Sequence, residues 1–264
     1  MDDASGAAAK RQSGAVTAAM LIIGNEVLSG RTQDKNLAHV ALQLGEIGID
    51  MREVRIVPDE LDVVVAAVNA LRAAHDYVFT TGGIGPTHDD ITADCIAAAF
   101  GVALNHHPLA MQQLQAHYDR LEADFNEARQ RMARIPEGAS LIDNPVSTAP
   151  GFCIENVYVM AGVPKIMQAM MENVLPNLRG GEALSSITVT SNVPEGTIAA
   201  EMGRLQAQYE EVNIGLYPFY GPDGAGVSVV ARGRDMAQLA IIEGLIKAHL
   251  AEIGAELVER VPAK

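Results

Sequence analysis

Thr80-Thr81-Gly82-Gly83-Ile84-Gly85-Pro86-Thr87-His88-Asp89-Asp90-Ile91-Thr92 joins two apolar segments through three glycines and a proline. The apolar run Tyr77-Val78-Phe79 before it predicts a buried strand, and the periodic run Ile91 to Phe100 after it predicts a helix. A strand, a glycine-rich turn and a helix start together form a generic anion site. Glycine allows close backbone approach, and the first helical N–H groups point outward. Asp89 and Asp90 would repel a phosphate unless a divalent cation lay between them. Thr87 and Asp90 also fit a Thr-x-x-Asp capping box, in which the glycines only make a tight turn.

Working outward, two further glycine loops follow apolar strands. Ala18 to Ile23 reads as a parallel strand buried on both faces, and Gly24-Asn25-Glu26-Val27-Leu28-Ser29-Gly30 leads through Asn36 into a helix. Met51 to Val57 reads as a second strand, with Pro58-Asp59 opening the next helix. Gly151 to Ile154 and Val157 to Met160 read as a hairpin, after which Gly162-Val163-Pro164 introduces a helix. Strands alternating with helices predict a three-layer α/β domain with a mostly parallel sheet, whose ligands sit at the carboxyl ends of the strands. Between them, Pro108 to Arg134 reads as one bent helix or two. Asn126, Arg129, Arg131 and Arg134 close that region, either as a solvated face or as a phosphate clamp.

After Arg179-Gly180-Gly181 the pattern changes to β-α-β-β-α-β, with strands near Ser186–Ser191, Val212–Phe219, Gly226–Ala231 and Leu257. That order predicts a small ferredoxin-like α+β domain. The organisation expected is therefore a disordered tail over 1–15, an α/β domain over 16–178 and the small domain over 182–264. No catalytic constellation is visible in the last of these.

The 264 residues are 48% hydrophobic and 20% charged, ample for packed cores. Acidic residues exceed basic ones by 33 to 19, a net charge of −14. That excludes sequence-independent binding to nucleic acid or anionic membrane, both of which need basic patches. Two cysteines, Cys95 and Cys153, form no disulfide framework and fit a reducing cytoplasm. The N-terminus lacks the apolar segment of a secretion signal, and no run approaches a membrane span.

Taken together, the loops resemble the competence/damage-inducible protein A family. Gly24 to Gly30 with Asp34 and Asn36 resembles its first motif, and Thr81 to Thr92 its second and most specific one. Asn144-Pro145 through Thr148-Ala149-Pro150-Gly151-Phe152, and Gly162-Val163-Pro164, are similar to the third and fourth. The resemblance is strong over Ala18 to Leu178 and weaker beyond. It implies a molybdopterin-binding-type fold of the wider MoaB/Mog-like superfamily, and often a homodimer. It also implies metal-dependent hydrolysis of a nucleotide pyrophosphate such as ADP-ribose, or of flavin adenine dinucleotide in a related fused domain. The chain stops where the family's nicotinamide mononucleotide amidohydrolase domain would begin, so that activity is not expected. Ser147 stands where glycine is expected, and Lys165-Ile166 where a small residue and glutamate are expected.

The chemistry implied is hydrolysis of a diphosphate bridge in a nucleotide-like ligand. Backbone amides of Gly82, Gly83 and Gly85 would hold a phosphate. Asp89, Asp90 and Glu26 would anchor Mg²⁺, Mn²⁺ or Co²⁺, which neutralises developing charge. Glu26 is alternatively a general base or a turn cap. Lys165 and Arg131 would balance phosphate charge, with Asn25, Thr81, Pro86, Thr87, Thr92, Asn36, Gly162 and Pro164 as further ligand contacts and His88 as an exposed neighbour. The competing expectations are a binding module for a molybdopterin-type cofactor, or adenylyl transfer to it.

Overall fold

The computed structural model describes residues 15–221 and 224–258. The expected tail over residues 1–14 and the turn residues Pro222 and Asp223 lie outside the described residues. The chain divides into two compact units, 1–181 and 182–264.

In the first unit the elements run β1 (Val16–Ile23), α1 (Asn25–Leu28), α2 (Asn36–Glu46), β2 (Ile49–Val57), α3 (Leu61–Ala74), β3 (Tyr77–Thr81) and α4 (Thr92–Phe100). They continue with β4 (Leu104–His106), α5 (Pro108–Arg120), α6 (Glu127–Gln130), β5 (Arg134–Pro136), β6 (Ser140–Ile142), β7 (Gly151–Ile154), β8 (Val157–Met160) and α7 (Pro164–Val174). Six strands form one mixed sheet in the order β2-β1-β3-β8-β7-β6. The first four are mutually parallel, and the hairpin β7–β8 and strand β6 add an antiparallel edge.

Strand periodicity sorts β1 between two cores. Ala18, Met20 and Ile22 face α2 and α7, packing on Val40, Leu44, Met167, Met170 and Met171. Ala19, Leu21 and Ile23 face α3 and α4, packing on Val64, Val68, Leu71, Cys95 and Ile96. Both faces of the strand are apolar because both are covered, which makes three layers. Since β2, β1, β3 and β8 run the same way, their outgoing loops all emerge at one edge. Those loops carry Pro58-Asp59, Gly24 to Asn36, Gly82 to Thr92 and Gly162-Val163, respectively.

The region expected to be one or two helices up to Arg134 is more broken than its periodicity suggests. Helix α5 stops at Arg120, and Glu122 takes a left-handed φ of 51°. Asn126 then caps the single turn α6, its Oδ1 accepting from the Arg129 N–H at 3.1 Å. A 3₁₀ turn, Arg131–Ala133, leads into β5, which pairs with β4. Three-residue strands carry too little alternation to be read from sequence.

The second unit holds β9 (Ser185–Ser191), α8 (Glu195–Gln208), β10 (Asn213–Gly221), β11 (Gly224–Gly233) and α9 (Met236–Glu252). Its antiparallel sheet runs β10-β11-β9, and a single bridge, Ser191 to Leu257, extends it on the far side of β9. This is the ferredoxin-like order, with the fourth strand reduced to one bridge. Helices α8 and α9 cover the sheet through Ile198, Met202, Leu205, Leu239, Ile242 and Ile246.

Candidate functional site

The glycine turn after β3 is shaped mainly by its own packing. Gly82 and Gly83 have φ of 102° and 67°, left-handed values that favour glycine. A Cβ on Gly82 would lie 2.1 Å from the Ile23 carbonyl oxygen, and one on Gly83 would lie 2.2 Å from the Thr92 hydroxyl. Thr92 is wholly buried, its hydroxyl donating to the Gly82 carbonyl at 2.9 Å and its N–H to the Gly83 carbonyl at 3.0 Å. The expected ligand contact from Thr92 is therefore corrected: both its donors staple the turn to α4. The Gly82 N–H is also spent, donating to the Met160 carbonyl at 3.3 Å as an extension of the β3–β8 ladder.

Downstream the turn behaves differently. Among the described residues, the N–H groups of Gly83, Ile84 and Gly85 have no acceptor within the protein. Successive free amides form a concave anion cradle. Thr87 and Asp90 close the far side, the Thr87 N–H and hydroxyl donating to Asp90 Oδ2 at 2.8 and 2.5 Å. This is an isolated turn rather than a capping box, because α4 starts only at Thr92. Pro86 and Thr87 are exposed. The Thr87 side chain also reaches Asp89 and holds that exposed carboxyl below its usual range. His88 is fully exposed beside it.

Two clefts open on either side of the turn. The first is lined by Gly83, Ile84, Gly85, Asp90, Asp94, Arg131 and Arg134, with Pro150 and Phe152 as its apolar wall. The Arg131 guanidinium donates to the Asp90 carbonyl at 3.3 Å, while its buried Nε has no partner. Arg134 is paired with Asp94. Arg129 is not part of a clamp; it stacks on the Tyr118 ring 4.4 Å away. The wall is held by Asn144, whose side chain bonds Val146, Ser147 and Ala149. Ser147, in place of the expected glycine, gives this turn an extra acceptor at 2.7 Å.

The second cleft, open to solvent, lies between the loops after β1, β3 and β8. Glu26, Asp34, Lys35, Asn36, Thr81, Gly82, Gly162 and Pro164 line it. The Asn36 Nδ2 donates to the Gly162 carbonyl at 2.8 Å, which ties the β1 loop to the β8 loop. Lys165, expected to face phosphate, is exposed on α7 and lines neither cleft. Lys35, on the loop after β1, lines the second cleft instead, which spacing alone does not reveal.

Asp59 belongs to this edge although sequence spacing assigns it to a helix start. It precedes α3, and its Oδ2 accepts from the Asn25 N–H at 2.9 Å, fixing the start of α1 and so the base of Glu26. Burial pushes its pKa up, the Asn25 N–H opposes that, and the charges of Glu26 and Asp89 add to the rise. Asp59 thus senses both of the other carboxylates. Among the described residues, however, no three His, Cys, Asp or Glu side chains gather as a metal-binding group. Glu26 lines one cleft, Asp90 the other, and Asp90 Oδ2 is already engaged. The residues therefore do not fit a resident cage built from Asp89, Asp90 and Glu26. They fit a hard cation that arrives with phosphate oxygens, for which one or two carboxylates suffice.

A mostly parallel sheet with three glycine-bearing loops at its carboxyl edge, an antiparallel hairpin edge and an appended ferredoxin-like unit defines an α/β domain of the molybdopterin-binding type. Residues 19–180 match the family described as probable molybdopterin binding domain, and residues 183–261 match the FAD synthase middle domain. The chain belongs to the CinA/MoaB-like molybdopterin-binding family. A crystal structure of the protein CinA from Thermoplasma acidophilum, described as of unknown function, aligns with TM-score 0.58 and 33% identity. That alignment covers 62% of this chain and 99% of the other. A protein of Caldivirga maquilingensis is 38% identical over 61% of this chain, which spans 64% of that relative's length. A CinA-like protein of Desulfosudis oleivorans is 36% identical over 75% of this chain, which spans 51% of that relative. No helix among the described residues is long and apolar enough to cross a membrane.

Proposed function

We propose that the chain binds a nucleotide pyrophosphate at the glycine turn and hydrolyses its diphosphate bridge with a divalent cation brought by the substrate. The observation that carries this reading is the gathering of unpaired donors in the first cleft. The Gly83, Ile84 and Gly85 amides and the buried Arg131 Nε have no protein acceptor among the described residues. A buried donor without a partner, as Arg131 Nε is, is costly, and phosphate oxygens would satisfy it together with the half-buried amides of the turn. Against a net charge of −14, such local donors are what hold an anion.

Each group then has a role. The three amides donate to the non-bridging oxygens of one phosphate and stabilise charge that grows on it. Arg131 neutralises the same phosphate from the α6 side. Asp90, its Oδ2 held by Thr87, and the ionised Asp89 would hold Mg²⁺, Mn²⁺ or Co²⁺. That cation supplies charge neutralisation and a water of lowered pKa. Asp59 positions Glu26 through the Asn25 amide. The homodimer that the resemblance implies is part of this proposal.

Release of AMP from ADP-ribose or flavin adenine dinucleotide, dependent on added metal and lost in a folded Asp90→Asn variant, is the expected result. A second reading draws on the family match itself: binding of a molybdopterin-type cofactor, or its adenylylation with ATP consumed. Absence of turnover with any metal, together with tight binding of a pterin phosphate, would replace the first reading by the second.

A further inference from the structure

We propose that the second cleft takes the neutral, hydrogen-bond-donating part of the ligand, a sugar hydroxyl or an amino-bearing heterocycle, and not a phosphate. This rests on the reading of the glycine turn as a phosphate cradle, and it adds a direction to the ligand along the sheet edge.

The warrant is a pair of orphan atoms. Asn36 is 3% and Thr81 1% exposed, and both line this cleft. The Asn36 amide is oriented by its Nδ2 bond to the Gly162 carbonyl, so the atom left over is Oδ1, a pure acceptor. The Thr81 hydroxyl is likewise buried and unpaired. Parallel pairing puts Thr81 opposite Ile22, a lining residue of the same cleft. A buried acceptor is satisfied only by an N–H or O–H group. An ionised phosphate brings acceptors alone, so it cannot pair with Asn36 Oδ1. The charges agree: Glu26 and Asp34 face a single Lys35 here, which disfavours an anion. The first cleft offers the converse set, free amides and a guanidinium. Gly82 lines the second cleft and Gly83 the first, so a ligand crossing the turn presents phosphate on one side and donors on the other.

Calorimetric titration of the full chain and its Thr81→Val variant with inorganic pyrophosphate, AMP and ribose 5-phosphate tests this. Valine keeps the volume of a hydroxyl that has no protein partner, so folding is retained. The variant should bind AMP about five- to tenfold more weakly and pyrophosphate unchanged. An equal loss for ribose 5-phosphate identifies the sugar as occupant, and no loss for it identifies the base; both support the proposal. Unchanged AMP binding, or an equal loss for pyrophosphate, overturns it. Should pyrophosphate fail to bind wild type, the phosphate reading falls by itself. Adenosine and 6-hydroxymethylpterin, which carry no phosphate, then decide. Binding of either that weakens in Thr81→Val supports the cleft assignment, and failure of both overturns it.

Discussion

The two units both cover a sheet with helices, yet they treat polar groups in opposite ways. Of the seven buried side-chain atoms without a partner among the described residues, six lie in the first unit and one, Ser191 Oγ, in the second. Three of the six, on Asn36, Thr81 and Arg131, line the two clefts. The second unit keeps its chain reversals satisfied instead. Asp235 caps α9 by accepting from the Ala237 and Gln238 N–H groups, and Gln206 bonds both the Val212 carbonyl and the Ile214 N–H. One unit stores unmet hydrogen-bonding capacity at its loop edge; the other is built to be stable. Unmet polar groups are destabilising in the empty protein and become an asset only when a ligand meets them.

The largest test of this contrast is Gly82→Ala. At φ 102° and with the Ile23 carbonyl 2.1 Å from a new Cβ, the turn cannot stay as it is. Loss of roughly 3 kcal/mol or more is expected, together with loss of pyrophosphate binding. Urea unfolding and calorimetry measure the two effects. Next, Ile246→Ala removes a wholly buried side chain from α9. A cost of about 2–5 kcal/mol is expected in the melt of the second unit, with pyrophosphate affinity unchanged where the protein stays folded. A fall in affinity would mean the second unit contributes to the site. Smaller in stability is Arg131→Gln, which removes a cation whose Nε has no partner. Pyrophosphate should bind about tenfold more weakly or worse while the melting temperature barely moves.

The three-layer unit was legible because β1, β3 and β8 are short, mainly apolar runs with a glycine within two residues of the strand end. That pattern fits only a covered parallel sheet. The cradle was legible as a place, from Gly82-Gly83-Ile84-Gly85, but not in its division of labour. Sequence gives Gly82, Thr87 and Thr92 the same standing as Gly83 and Gly85, whereas the first three spend their donors on acceptors within the protein. Those assignments depend on where the Met160 carbonyl and the Asp90 carboxylate come to rest, and both are set by strand register and turn geometry. Asp59 and Lys35 were hidden for a related reason. Each sits on a loop beside a helix start, where an acidic or basic residue ordinarily reads as solvated, and only the β2-β1-β3 order brings them to the edge. The breakup of Pro108 to Arg134 was hidden because the stripe Leu114, Tyr118, Phe125 keeps helical spacing across a left-handed Glu122.

Asp59→Asn probes the smallest effect and the one whose sign says most. Burial raises the Asp59 pKa, so the folded protein holds this proton more tightly than the unfolded chain does. The fold gains fully from this group below the unfolded pKa near 3.8, and the gain is lost as pH rises through the folded value. At pH 7 the residue is therefore a small net burden, offset in part by the Asn25 N–H. Asparagine keeps an acceptor for that N–H and carries no charge. The variant should melt roughly one degree higher at pH 7, an increment limited by solvent screening at a partly exposed side chain. The difference should shrink towards zero as pH falls through the raised pKa. A variant that melts lower than wild type at pH 7 would show that the charged bond to Asn25 outweighs burial. The carboxylate would then act chiefly as the anchor of α1, rather than as unmet polarity of the kind gathered around the clefts.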